Sequence, residues 1–244
     1  MLDMISPSAL PTCCTPLDDH WPLPVELAHT VMLTTGFDPQ QHCVEDFQRC
    51  AIEAPASIQR SVAKRQAEFL AGRFCARAAL QRLTGVAVVP AIGEDRAPVW
   101  PAGLCGSITH SRGHAAAIVA HTRHWRGLGL DLENLLSDER ALRLAAEILT
   151  PAELTRLADT PREQQALLVS LTFSAKESLF KALYPLVRQR FYFEHAELLE
   201  WSVDGRARLR LLIDLSSEWH AGCELQAQFC VQDEQLLSLI AISA

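Results

Sequence analysis

Apolar residues return at three- and four-residue steps through residues 61–83, SVAKRQAEFLAGRFCARAALQRL, with Val62, Phe69, Leu70, Cys75, Ala79 and Leu80 on the repeat. That period predicts a helix, and Gly85 supplies a stop just past it. The pattern then changes to period two. GSITH and HAAAIVA, parted by SRG, predict a hairpin, and GLGLDLE at 127–133 predicts a third strand after it. SDERALRLAAEIL returns to helical spacing. Two boxes follow, Thr150-Pro151-Ala152-Glu153 and Thr160-Pro161-Arg162-Glu163, each predicting a helix start with Thr at N-cap and Pro at N1. The second launches a long helix over residues 161–184, which Pro185 ends. From FYFEHAELLEW onward, short strands with turns at VDGR and QDEQ are expected. The first 55 residues are Pro- and turn-rich and predict loops with one strand near VELAHTVMLT. GEDRAPVWP, at 93–101, predicts a loop held by Pro98 and Pro101.

AEFLAGRFCARAAL and FSAKESLFKAL form a weak internal duplication, each a small-residue-rich helix with basic residues among strands. Helices and strands mix without regular alternation, so the expected fold class is α+β rather than a doubly wound sheet. The chain divides, on this reading, into residues 1–122 and 123–244.

Composition narrows the function classes. At 244 residues and 49% hydrophobic, the chain can bury a sizeable core. A net charge of −7 argues against a general nucleic-acid binder but leaves room for a local basic pocket. No apolar run approaches the roughly 18 residues of a membrane helix. The opening MLDMISPSAL lacks the basic and apolar regions of a secretory leader. The eight cysteines include no C-x-x-C pair, so reduced, packed thiols in the cytoplasm are expected. Only three of the 22 basic residues are lysines, Lys64, Lys176 and Lys181, and the last two fall close together.

Those two lysines flank the candidate chemistry. On a helical wheel Val169, Phe173, Phe180 and Tyr184 form one stripe, and Glu177 lies within it with Lys181 at its rim. An ionised carboxylate on an apolar stripe needs a partner. Either Glu177 pairs with Lys181 along the helix, or it faces a polar site. Strand alternation in GLGLDLE sends Leu128, Leu130 and Leu132 to one face and Gly129, Asp131 and Glu133 to the other. Asp131 and Glu133 repel unless a cation sits between them. With Glu177 they make three oxygen ligands, a set that suits Mg2+ and phosphate chemistry.

GLGLDLE followed by FSAKESLFKA, with GEDRAPVWP and GSITHS upstream, resembles the Sfp-type 4′-phosphopantetheinyl transferases, in the branch that includes enterobactin synthetase component D and PcpS. The resemblance spans most of the chain. It implies a pseudo-dimer of two similar α+β halves with the active site between them. It also implies transfer of the 4′-phosphopantetheine arm of coenzyme A to a serine of an acyl or peptidyl carrier protein, releasing adenosine 3′,5′-bisphosphate. Asp131, Glu133 and Glu177 match the Mg2+-binding acids, and Lys181 the lysine at the pyrophosphate. Thr109 and His110 match the segment that contacts the coenzyme A 3′-phosphate, while Arg96, Lys64 and Arg65 match further phosphate-gripping residues. The resemblance places Glu177, Lys181 and His110 in the catalytic set. Glu177 or Glu133 is expected to accept the serine proton, directly or through a metal-bound water. Phe173 stands where many relatives have Trp. Arg188 and Arg190 either meet an acidic carrier or lie in a solvated loop. No second subunit is required.

Two other functions compete. A Mg2+-dependent nucleotide phosphohydrolase would use the same acids without the 3′-phosphate grip. A non-catalytic carrier-binding module would need no three converging acids.

Overall fold

In the computed structural model, which describes residues 9–244, two long helices each lie against an antiparallel sheet. The expected opening loop and the missing leader pattern fall partly on residues 1–8, outside the described residues. The chain forms two compact units. One comprises the residues up to Trp21 with Ala28–His124, the other Pro22–Leu27 with Trp125–Ala244. Among the described residues no helix is long and apolar enough to cross a membrane.

The first unit runs β1 (Thr30–Gly36), α1 (Glu45–Arg49), α2 (Ala56–Gln59), α3 (Ala63–Thr84), β2 (Ala91–Ile92), β3 (Pro98–Val99), β4 (Leu104–Ser111) and β5 (His114–His121). The expected hairpin forms as β4 and β5, and β1 adds to its other side to give the order β1-β5-β4. Helix α3 rests on this sheet at Gly72, where a Cβ would stand 2.9 Å from Ile108 Cγ2. Leu70, Ala71, Phe74 and Cys75 then bury against Cys13, Cys14, Cys50, Ile52, Ala115 and Ala117. The helix ends at Gly85 with φ 79°, the left-handed conformation a glycine adopts without steric cost. Two expectations change here. Val62 is exposed and caps the helix instead of joining its buried face. GEDRAPVWP is part of a miniature hairpin, because Ala91 and Ile92 pair with Val99 and Pro98 around a turn where Arg96 N–H donates to Gly93 O at 2.9 Å.

The second unit runs β6 (Trp125–Asn134), α4 (Asp138–Ile148), α5 (Pro151–Asp159), α6 (Arg162–Val187), β7 (Ala196–Ser202), β8 (Arg206–Leu211), β9 (Glu224–Gln232) and β10 (Gln235–Ser243). The strand carrying GLGLDLE belongs not to the hairpin's sheet but to a five-stranded one, order β6-β10-β9-β8-β7. Helix α6 packs directly on it. A Cβ on Gly129 would fall 1.8 Å from Ser178 O, and one on Gly127 2.4 Å from Ala182 O. Only glycine admits the helix backbone that close. Beneath this contact Ser238 Oγ meets both Ser174 Oγ and Ser178 Oγ at 2.8 Å. These hydroxyls satisfy one another in a place where water is excluded.

The helix boundaries and faces hold three corrections. The first Thr-Pro box forms a full capping box, Thr150 N–H to Glu153 Oε2 at 2.7 Å and Glu153 N–H to Thr150 Oγ1 at 3.3 Å. The second does not. Thr160 is the C-terminal cap of α5, and its hydroxyl donates back to Arg156 O at 2.8 Å. The connection to α6 is too short for Thr160 to serve both helices. Pro185 does not end α6, which continues to Val187 and closes at Arg188 with φ 55°. The buried face of α6 is Leu171, Ala175, Leu179, Ala182 and Leu183, whereas Phe173, Phe180 and Tyr184 are half-buried at its margin. Glu177 is therefore on the edge of the packed face, not in its middle.

Gly129→Ala is expected to lower stability by about 3 kcal/mol, because strand and helix backbones must part. Gly85→Ala is expected to cost only about 1 kcal/mol, the strain of a left-handed alanine. Thermal melts of the two variants check the ranking, and equal losses would contradict the close approach at Gly129.

Candidate active site

Strand β6 and helix α6 bring the acids of the second unit together. Asp131 is buried, and Lys181 Nζ donates to its Oδ1 at 2.6 Å and to Leu130 O at 3.1 Å. The lysine therefore pairs across to the strand, not back along the helix to Glu177. Asp131 Oδ2 is buried with no hydrogen-bond partner. Glu133 stands two residues on, on the same side of the strand. Burial, with Asp131 and Glu177 adding repulsion against the pull of Lys181, raises its carboxyl to about 7. Burial raises Glu177 too, opposed by Lys181 and reinforced by Asp131. Among the described residues no three acid, histidine or cysteine side chains already converge as a closed metal cage. The donor set nonetheless fits a cation. It offers an orphaned buried oxygen and two carboxyls that resist ionising without a positive neighbour.

Lys176, the residue before Glu177, does something else. It is buried, and its ammonium donates to Glu153 Oε2 at 2.6 Å, Ile148 O at 2.9 Å and Phe193 O at 2.9 Å. Glu153 also accepts from Leu198 N–H at 2.5 Å. One carboxylate thus caps α5, pairs with α6 and ties down β7. Its partners were not foreseen, although the capping box that places it was. Beyond Lys176 and Glu177 opens a cavity of about 170 Å³ lined by Phe180, Arg190, Phe191, Tyr192, Phe193 and Ala196. Its aromatic walls are braced by contacts such as Phe180 with Phe191 at 5.3 Å and Phe173 with Phe193 at 5.4 Å.

In the first unit the start of α3 meets the end of β4. Arg65 Nη1 donates to His110 Nε2 at 2.9 Å. Both face Glu68, which sequence reasoning passed over. Its only signal was its spacing, four residues after Lys64 and three after Arg65 on a helix. Thr109 does not join them. It is buried, and as His110's neighbour on β4 it points to the opposite face. Arg96 is exposed at the tip of the β2–β3 hairpin, with φ 70°.

Comparisons with known proteins bear on the family of the chain. Residues 53–120 match the 4′-phosphopantetheinyl transferase N-terminal domain, and residues 127–237 match the 4′-phosphopantetheinyl transferase superfamily. Enterobactin synthase component D of Escherichia coli (strain K12) is 43% identical over 146 residues, 60% of this chain and 67% of that protein. The 4′-phosphopantetheinyl transferase PptT of Mycobacterium tuberculosis is 39% identical over 174 residues, 68% of this chain and 73% of that protein.

The raised Glu133 carboxyl gives a signed pH dependence. An unfolded glutamate ionises near pH 4.3, whereas folded Glu133 keeps its proton to about 7. Between those values the unfolded chain binds fewer protons, so folding is weakened as pH rises through the window and levels off above it. In EDTA, Glu133→Gln is therefore expected to gain melting temperature over the unsubstituted protein as pH rises across that window. Added Mg2+ is expected to close the gap at the high-pH end. Parallel melting curves at every pH would remove the case for a strained carboxylate.

Proposed function

The chain belongs to the 4′-phosphopantetheinyl transferase family, and from that premise we propose that Asp131, Glu133 and Glu177 hold Mg2+ while the enzyme transfers the phosphopantetheine arm of coenzyme A to a carrier protein. The observation that carries the metal assignment is Asp131 Oδ2, buried without a partner beside two carboxyls whose hold on their protons burial raises. Mg2+ bound there would offset charge on the pyrophosphate.

This chain's own groups divide the remaining work. The serine oxygen of the carrier forms a bond to the phosphorus of the arm, and the bond from that phosphorus to adenosine 3′,5′-bisphosphate breaks. The serine proton passes to Glu133 or Glu177, directly or through water. Lys181, part-exposed on one side and bound to Asp131 on the other, supplies positive charge to the phosphates. The aromatic cavity beside Glu177 suits the methyl and methylene groups of the flexible arm. Lys64, Arg65 and His110 are assigned to the 3′-phosphate, with Arg96 as an outlying contact. Thr109 is left out because its side chain is buried on the other face of β4. Arg190 at the cavity's rim, with Arg188, suits an acidic carrier. Eight free cysteines support a reducing compartment, and the proposal places the enzyme in the cytoplasm, needing no second subunit.

The test is a mass spectrum of an apo acyl carrier protein, and separately of a peptidyl carrier domain, after incubation with enzyme, coenzyme A and Mg2+. A gain of one phosphopantetheine arm, abolished by EDTA, is expected. Glu177→Gln is expected to lower kcat/KM by about 100-fold or more with its melting temperature retained. No gain on either carrier, with release of phosphate from nucleotides instead, would favour the hydrolase.

A further inference from the structure

Glu68 stands among the basic residues assigned above to the coenzyme A 3′-phosphate, where a carboxylate repels the ligand directly. Its Oε2 lies 3.3 Å from Arg65 Nη1 and 3.9 Å from His110 Nδ1, and its Oε1 lies 3.9 Å from Lys64 Nζ. The exposures are graded. The Glu68 side chain is 13% exposed, against 30% for His110, 49% for Arg65 and 68% for Lys64. The carboxylate lies underneath and the cations lie above it, nearer solvent.

The hydrogen bonds give the arrangement a direction. Arg65 can only donate, so the 2.9 Å contact makes His110 Nε2 the acceptor and leaves the neutral ring's proton on Nδ1, the side of Glu68. The guanidinium and the imidazole are thus both oriented by groups within the unit. Lys64 and Arg65, both beside Glu68, also repel one another. A half-buried carboxylate offsets that repulsion. Lys64 and Arg65 contribute two positive charges and Glu68 removes one.

We propose that Glu68 is a positioning residue for phosphate recognition, holding Arg65 and His110 together from below so that the remaining guanidinium donors of Arg65 meet the 3′-phosphate of coenzyme A. This rests on the assignment of Lys64, Arg65 and His110 to that phosphate. Glu68 itself touches no substrate atom. A glutamate at this place is a net gain only if orientation outweighs its repulsion of the ligand, and that balance sets the sign of the experiment.

The experiment compares kcat/KM for coenzyme A with kcat/KM for the analogue lacking the 3′-phosphate, using the full chain, Glu68→Gln and Glu68→Asp. The unsubstituted enzyme is expected to prefer coenzyme A. Glu68→Gln is expected to lose about tenfold of that preference, through the KM for coenzyme A, since one charge-assisted contact is lost. Glu68→Asp, which keeps the charge, is expected to retain most of it. An unchanged preference in Glu68→Gln overturns the inference. So does an increased preference, which would mean the carboxylate only opposes phosphate, and so does an equal loss with both substrates, which would mark general structural support. An unsubstituted enzyme with no preference would instead remove the phosphate assignment itself, and the inference with it.

Discussion

Three carboxylates share one edge of the helix–strand junction in the second unit, and the cost of keeping them there organises what surrounds them. Buried carboxylates are tolerated only with positive or hydrogen-bonding partners. Lys181 meets one oxygen of Asp131 and leaves the other without a partner. Glu133 and Glu177 respond by holding their protons more tightly than an exposed glutamate. The cation proposed there would give these groups a positive partner, and it would serve an enzyme that handles a pyrophosphate. The electrostatic cost of the junction falls on the acids proposed for the chemistry.

The junction exists because small residues let two backbones meet. Gly127 and Gly129 remove side chains from β6 where α6 crosses, and Ser174, Ser178 and Ser238 fill the space with mutually bonded hydroxyls. The helix is then held from its other side by Lys176, whose side chain is buried.

 That ammonium spends its three donors on Glu153 Oε2, Ile148 O and Phe193 O. Two neighbouring residues of one motif thus have opposite tasks. Lys176 is fully satisfied and fixes the helix, whereas Glu177 is left to the site. An arginine has a planar fork in place of three diverging donors, and this offers a physical reason for lysine here in a chain otherwise rich in arginine.

Period and alternation made the acids legible before any coordinates. The alternation of GLGLDLE put Asp131 and Glu133 on one face, and helical spacing brought Glu177 and Lys181 within a turn of each other. The packed face of α6 was misread because a wheel drawn on large apolar residues follows Phe173, Phe180 and Tyr184, while the closest contacts are made by serine and alanine. The pairing of β6 was hidden because its partner β10 lies about a hundred residues away, at separations such as Glu133 to Leu236. Thr160 was misassigned because one threonine can cap the end of a helix as well as the start of the next, and local sequence does not say which. Glu68 went unseen because a glutamate near a lysine and an arginine on a helix reads as an ordinary exposed ion pair, and only the approach of His110 from β4 makes it more.

The central claim is that these three acids, and not coenzyme A alone, hold the metal. Calorimetric titration of coenzyme A into the protein with and without Mg2+, repeated on Asp131→Asn, tests it most directly. The account predicts that Mg2+ tightens coenzyme A binding by about tenfold or more in the unsubstituted protein and by little in the variant. An equal gain in both would show that the ion rides on the pyrophosphate without Asp131, and the account would be wrong.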